Sequence, residues 1–109
     1  MPRYSLGQGD TGASIINKTT SGPGIAFGLK PRPTLNKILW EFVPGVTPPT
    51  SMSLALMVSA DGINFVKFST IVDPVGRQIE FVDVGSAKAV RVDIESISGG
   101  SAINSNITA

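Results

Sequence analysis

The sequence predicts an all-β domain, built as an antiparallel β-sandwich. Three observations lead to this fold class. Apolar and polar residues alternate with a period of two in several short runs, as they do in half-buried strands. Turn-forming residues interrupt these runs at intervals of about ten residues, and no segment has a convincing helical period. Together they give about seven or eight short strands, which is typical of a sandwich.

The first 24 residues are rich in Gly, Ser, Thr and Asn. Such composition favours loops over regular structure. A short strand is predicted at residues 14–17, and a frayed terminus is the alternative to an ordered arm. We therefore expect a flexible arm or long loop at residues 1–24 and the sandwich domain at residues 25–109.

The sandwich domain is predicted to begin with a short strand at residues 25–29. A loop with two prolines follows, since proline is confined to loops and sheet edges. The next strand, NKILWEFV, has aromatic residues at alternate positions. We expect Trp40 and Phe42 to face the core and Glu41 to face solvent.

The segment SMSLALMVS has the clearest alternation in the chain. Its apolar face, expected in the core, consists of Met52, Leu54, Leu56 and Val58. Its other face is small and weakly polar. An exposed apolar patch rimmed by polar groups usually marks an interface. We expect such an interface at Ser51, Ser53, Ala55 and Met57, together with Tyr4 and Leu6 of the arm.

The stretch SADGINF separates this strand from the next. Asp61 and Gly62 are predicted to form the turn, because Gly adopts a positive φ without steric cost. Asp61 and Asn64 are also the residues that would bind calcium. Two side-chain oxygens fall short of the roughly six to eight that the ion requires, so the turn is preferred and no metal site is predicted. Phe65 is expected in the core.

Four more strands complete the prediction, and the first of them is NFVKFSTIV, with Lys67 facing outward. In RQIEFVDV, the alternation predicts that Ile79 and Phe81 face inward, whereas Gln78 and Glu80 face outward. In AVRVDIESI, the apolar residues share one face and the charged residues share the other. The last strand is predicted near the C-terminus.

The composition argues against several classes of function. The chain has no cysteine and no histidine, which excludes thiolate metal sites, cysteine nucleophiles and an imidazole base. Its eight carboxylates include no convincing acid–base pair, so we expect neither an enzyme nor a cofactor. Nine scattered basic residues and a net charge of +1 do not form the dense stripe that nucleic acid requires.

The N-terminal segment lacks the apolar core of a secretory signal, and no apolar run is long enough for a membrane-spanning helix. We therefore expect a protein made in the cytoplasm, without export by a cleaved signal, and not associated with a membrane.

Residues 50–100 resemble the discoidin-like, galactose-binding-domain-like β-sandwich. The resemblance depends on a Ser-x-Asp-Gly turn followed by an aromatic residue, and on a later Lys-x-Val-Arg-Val strand. These positions are Ser59, Asp61, Gly62, Phe65, Lys88, Val90, Arg91 and Val92. Discoidin domains are longer, and their ligand loops have no counterpart here. The resemblance therefore implies a jelly-roll or discoidin-like sandwich but no binding residue.

The same pattern is similar to small virion proteins of tailed bacteriophages, either head decoration (cement) proteins or tail-associated modules. That resemblance implies a non-enzymatic structural protein of the virion. It also implies binding to the major capsid protein or another virion protein, and assembly as a homo-oligomer, with a trimer favoured. The alternative is a carbohydrate- or surface-binding module for host recognition or adhesion.

Overall fold

The computed structural model describes residues 4–7, 9–30, 36–73 and 76–109. These residues form strands connected by turns and loops, and none of them is helical. The strands are β1 (Tyr4–Leu6), β2 (Thr11–Lys18), β3 (Gly22–Pro23), β4 (Phe27–Leu29), β5 (Asn36–Val43), β6 (Ser51–Ser59), β7 (Val66–Val72), β8 (Gln78–Gly85), β9 (Ala89–Ser98) and β10 (Ile103–Thr108). The predicted all-β class is confirmed.

The strands form two sheets that pack on a common core. The first sheet has the order β1-β4-β9-β6-β7, with β3 also paired to β9. The second sheet has the order β2-β10-β5-β8. Neighbouring strands are antiparallel apart from the parallel pair β1 and β4. This is the sandwich architecture that the sequence predicts.

The core consists of the alternating residues that face inward from both sheets. Trp40 and Phe42 of β5 are fully buried, as predicted, and so are Leu54 and Leu56 of β6. The remaining apolar side chains of the core cluster are Leu6, Ile15, Phe27, Leu29, Ile38, Met52, Ile71, Val84, Val90, Val92, Ile94, Ile103 and Ile107. Burial of these side chains is the main driving force for folding.

The N-terminal region differs from the predicted flexible arm. Strand β1 pairs with β4, and β2 pairs with β10 along most of its length. Ile15 of β2 is 1% exposed and belongs to the core. The strand expected at residues 14–17 is therefore present, but it is longer and is part of the second sheet. Glycine and serine did not prevent strand formation here because β10 supplies hydrogen-bond partners for the backbone.

One buried serine connects the two sheets. Ser14 Oγ, on β2 of the second sheet, accepts a hydrogen bond of 2.9 Å from the Val92 amide on β9 of the first sheet. The same hydroxyl donates to the Ile25 carbonyl at 2.8 Å. A Cβ at Gly24 would lie 2.3 Å from the Val92 carbonyl oxygen, so only glycine permits this close approach.

Candidate interaction surface

Strand β8 forms one edge of the second sheet, and its faces are reversed relative to the sequence prediction. Ile79 and Phe81 point out of the sandwich, whereas Glu80 points between the sheets. Glu80 Oε1 accepts a hydrogen bond of 2.8 Å from Trp40 Nε1, and it also accepts one from the Ser69 hydroxyl on β7. The predicted inward positions of Ile79 and Phe81 are therefore wrong. A buried indole N–H requires an acceptor, and Glu80 is directly opposite Trp40 in the strand register.

This reversal places an apolar cluster on the outer face of the second sheet. Phe81 is 79% exposed and Ile79 is 50% exposed. Leu39 of β5 lies directly opposite Phe81 in the register and is half-buried. We refer to this cluster as the outer patch, which consists of Leu39, Ile79 and Phe81. Isolated exposed apolar residues are common, whereas adjacent ones at a sheet edge form a candidate interaction surface.

Polar groups of balanced charge border the outer patch. The Arg77 guanidinium contacts the Glu41 carboxylate at 2.7 Å, and Asn106 Nδ2 donates to the same carboxylate at 3.1 Å. The Asn106 amide first, and then Arg77, hold the pKa of Glu41 below its ordinary value. At the other end of the patch, Lys37 is opposite Asp83 in the register. An apolar centre with a polar rim is the usual anatomy of a protein interface.

The edge strand of the first sheet lies beside β8. Ser69 of β7 reaches Glu80 of β8, so the edges of both sheets meet on the same side of the sandwich. Three apolar residues of β7, Val66, Phe68 and Val72, are 63%, 48% and 61% exposed. This side of the molecule therefore presents two edge strands with exposed apolar side chains.

The interface predicted on β6 is largely covered by the chain itself. Ser51 is exposed, Ser53 and Met57 are half-buried, and Ala55 is fully buried. Ala55 lies between Asp93 of β9 and Thr70 of β7 in the register, so larger neighbours shield its methyl group. Ala55 is therefore not available for an interface, and this part of the prediction is corrected.

Ion pairs and a ring contact cover the same face of the first sheet. Lys67 binds Glu95, which also accepts a hydrogen bond from the Ser53 hydroxyl at 2.8 Å. These two partners, Lys67 first, lower the pKa of Glu95. The Arg91 guanidinium lies 4.4 Å from the centre of the Phe65 ring and within 2.8 Å of Asp93. Phe65 thus packs on the outside of the sheet, not in the core.

Two interface residues were predicted in the N-terminal arm, Tyr4 and Leu6. Leu6 is 4% exposed and packs in the core, since β1 continues the first sheet through β4. Its predicted interface role is therefore corrected. The backbone of Tyr4 pairs with Phe27, and its side chain lies outside the described residues.

The stretch SADGINF is a tightly bonded turn. Asp61 Oδ1 accepts hydrogen bonds of 2.8 Å from the Ser59 hydroxyl and from the amides of Ile63 and Asn64. Asp61 Oδ2 accepts another from Asn64 Nδ2 at 2.8 Å. These donors, the Asn64 amide above all, lower the pKa of Asp61 strongly. Gly62 takes φ 84°, as the turn prediction requires. The oxygens that a calcium ion would need are thus engaged by donors of the turn.

Two further findings concern metal sites and membranes. Within the described parts of the chain, no group of three or more acidic residues is arranged to hold a metal ion. The same residues include no helix with the length and hydropathy of a bilayer-spanning segment.

A comparison with known protein structures finds a similar fold. The crystal structure of SPBc2 prophage-derived protein YomS superposes with a TM-score of 0.65 and 10% sequence identity. The match covers 90% of this chain and 89% of the YomS chain. At this identity the likeness shows a shared β fold, and it does not single out the discoidin-like type. No family model and no curated protein matches the sequence significantly.

Sequence reasoning missed the outer patch because both phases of β8 contain apolar residues. Ile79 and Phe81 share their face with Asp83, whereas Val82 and Val84 share theirs with Glu80. Val84 is buried and Val82 packs against the core. Two signals indicate the observed orientation. Asp83, a charged residue, is in the same phase as Ile79 and Phe81. The Trp40 indole needs an acceptor, which Glu80 in the opposite phase provides.

Proposed function

We propose that this chain is a non-enzymatic structural protein of a bacteriophage virion. Its most specific form is a capsid decoration protein that binds the major capsid protein. The observation that carries the proposal is the outer patch, an apolar cluster with a balanced polar rim, exposed at the edge of a compact sandwich. Such a surface suits protein–protein contact. The fold shared with a prophage-derived protein supports a phage context.

The engagement of the carboxylates supports a non-enzymatic role. Asp61 is bonded within its turn, Glu41 is paired with Arg77, and Glu95 is paired with Lys67. Glu80 holds the Trp40 indole. A general acid or base must instead be directed toward a substrate in a cleft.

Co-sedimentation with virions of the phage that encodes the chain tests the proposal. We expect the purified chain to bind heads that lack it, and Phe81→Ser to weaken this binding. Val46→Ser is the matched control, because Val46 is 98% exposed and belongs to the loop between β5 and β6, outside the outer patch. If the chain binds phage tails but not heads, the decoration role is replaced by a tail-associated role. Failure to bind either would refute the proposal.

The exposed aromatic rings favour one second candidate, a carbohydrate- or surface-binding module. Phe81 and Phe68 are both accessible, and sugar-binding sites commonly present aromatic faces to the ligand. A glycan array probed with and without calcium tests this candidate. Binding that Phe81→Ser abolishes would support it, and an array without hits would remove it.

A further inference from the structure

Strand β8 has a free edge that a second strand can extend. In the described part of the chain, β8 pairs with β5 on one side and has no strand neighbour on the other. The backbone N–H and C=O groups of an edge strand are a template for another strand, and natural proteins usually protect such edges. Here the edge carries the exposed Ile79 and Phe81, which increases its tendency to pair.

The residues of β8 are complementary to those of a second β8 in one antiparallel register. When Ile79 lies opposite Ile79 of a second copy, Gln78 lies opposite Glu80, and Arg77 lies opposite Phe81. Ile79 pairs with Ile79, and the Gln78 amide lies beside the Glu80 carboxylate that also holds the Trp40 indole. Arg77, which remains paired with Glu41, lies beside the Phe81 ring. Each of these cross-strand pairs is favourable.

The neighbouring registers are less favourable. Moving the two-fold axis by one residue toward the C-terminus places Glu80 opposite Glu80, and like charges directly opposite destabilise a strand pair. Moving it by one residue toward the N-terminus pairs Ile79 with the charged Arg77. Moving it by two residues toward the C-terminus brings Phe81 opposite Phe81 but pairs each Ile79 with the charged Asp83. Charge therefore selects the register that is centred on Ile79.

The surroundings of β8 are compatible with self-association. The chain has a net charge of +1, so two copies repel each other little. Arg77 and Glu41 neutralise each other at the border of the outer patch. Val66 and Phe68, on the adjacent edge β7, add exposed apolar surface on the same side.

The geometry points to a two-fold dimer of this chain, formed by antiparallel pairing of β8 with β8 of a second copy around Ile79. This inference goes beyond the proposed function, since it gives the free backbone edge of β8 a second copy as its partner and sets the symmetry of the homo-oligomer. The outer patch lies on the face of the sheet and stays available to the virion partner. A two-fold contact is isologous, whereas the trimer implied by the resemblance requires a head-to-tail contact between different surfaces.

Sedimentation equilibrium of the purified full-length chain tests the stoichiometry. We expect a dimer mass. We expect Ile79→Asp, which places two carboxylates face to face, to weaken self-association at least about tenfold. Val46→Asp likewise replaces an exposed aliphatic side chain by a carboxylate, in the loop between β5 and β6, and is expected to leave the dimer unchanged. A monomer, a trimer or equal effects of the two variants would overturn the inference.

Cysteine cross-linking tests the register without relying on a destabilising variant. The chain has no cysteine, so a single introduced thiol can react only with its counterpart in another copy. Directly opposite residues lie within the roughly 7 Å that a disulfide spans between Cα atoms, so Ile79→Cys is expected to form a covalent dimer. In this register the Phe81 positions of the two copies are more than about 12 Å apart. Phe81→Cys and Val46→Cys should therefore cross-link much more slowly, and equal rates would refute the register.

The dimer and the capsid role can fail separately. A chain that dimerises through Ile79 but does not bind virions supports this inference and refutes the proposed function. A chain that binds virions as a monomer refutes this inference and leaves the proposed function intact.

Discussion

Trp40 Nε1 donates a hydrogen bond of 2.8 Å to Glu80 Oε1 across the pair of strands β5 and β8. This contact fixes which face of β8 is turned toward the core. Because Glu80 must point inward to accept it, Ile79 and Phe81 point outward. The outer patch is thus a consequence of the β8 orientation that gives the buried Trp40 indole its hydrogen-bond acceptor.

Removal of the Glu80 carboxylate should destabilise the domain. Glu80→Ala leaves the N–H of the fully buried Trp40 without its acceptor, which costs about 1–3 kcal/mol. Urea denaturation followed by Trp40 fluorescence measures the change. Glu80→Gln keeps an oxygen acceptor and should cost less. As a control, Glu95→Ala removes an exposed ion pair worth at most about 1 kcal/mol, and an equal loss in both alanine variants would contradict the assigned role.

Two phenylalanines should differ sharply in their effect on stability. Phe42 is fully buried, so Phe42→Ala is expected to cost about 3–5 kcal/mol. Phe81 is 79% exposed, so Phe81→Ser should change the stability of the isolated chain by no more than about 0.5 kcal/mol. Denaturation at low protein concentration, where self-association does not contribute, provides the comparison. A large loss for Phe81→Ser would place this ring in the core after all.

The buried hydroxyl of Ser14 should matter more than its small size implies. Ser14→Ala removes the acceptor of the Val92 amide and the donor to the Ile25 carbonyl. An unsatisfied buried amide costs about 1–3 kcal/mol, and the variant should unfold at correspondingly lower urea concentration. Ser51→Ala, on an exposed residue of β6, is the matched control. If both variants have the same midpoint, the connection between the sheets is not made through this hydroxyl.

The turn at Asp61 should make stability depend on pH in acid. Its carboxylate has a lowered pKa in the folded state, so the unfolded state binds more protons as the pH falls. The stabilisation is fully present above the ordinary pKa of 3.8 and is lost as the pH falls through the lowered folded value. Asp61→Asn, which does not titrate at this position, should lose stability less steeply as the pH falls below 3.8. Denaturation midpoints across the acid range compare the two, and parallel curves would count against this role of Asp61.

The alternation of β6 predicted its core residues Met52, Leu54 and Leu56 correctly, because that phase is uniformly apolar. The other phase was predicted less well, since Ala55 and Ser59 are also fully buried. In β8 each phase contains both apolar and acidic residues, so the pattern alone did not decide its orientation. The glycines and polar residues around Leu6 concealed strand β1, and those around Ile15 concealed the full length of β2, of which only residues 14–17 were predicted. The burial of Leu6 and Ile15 depends on pairing with β4 and β10, and these partners are distant in the sequence.

The sequence by itself determined the all-β class, the positions of most strands and the turn at Asp61 and Gly62. These features depend on local patterns, since alternation and turn chemistry act over a few neighbouring residues. Only the tertiary structure decided that the N-terminal region joins the sheets, that Ala55 is covered and that Phe81 is exposed. Each of these outcomes depends on which strand lies alongside, and the choice is made by long-range pairing and by the need to satisfy buried polar groups such as the Trp40 indole.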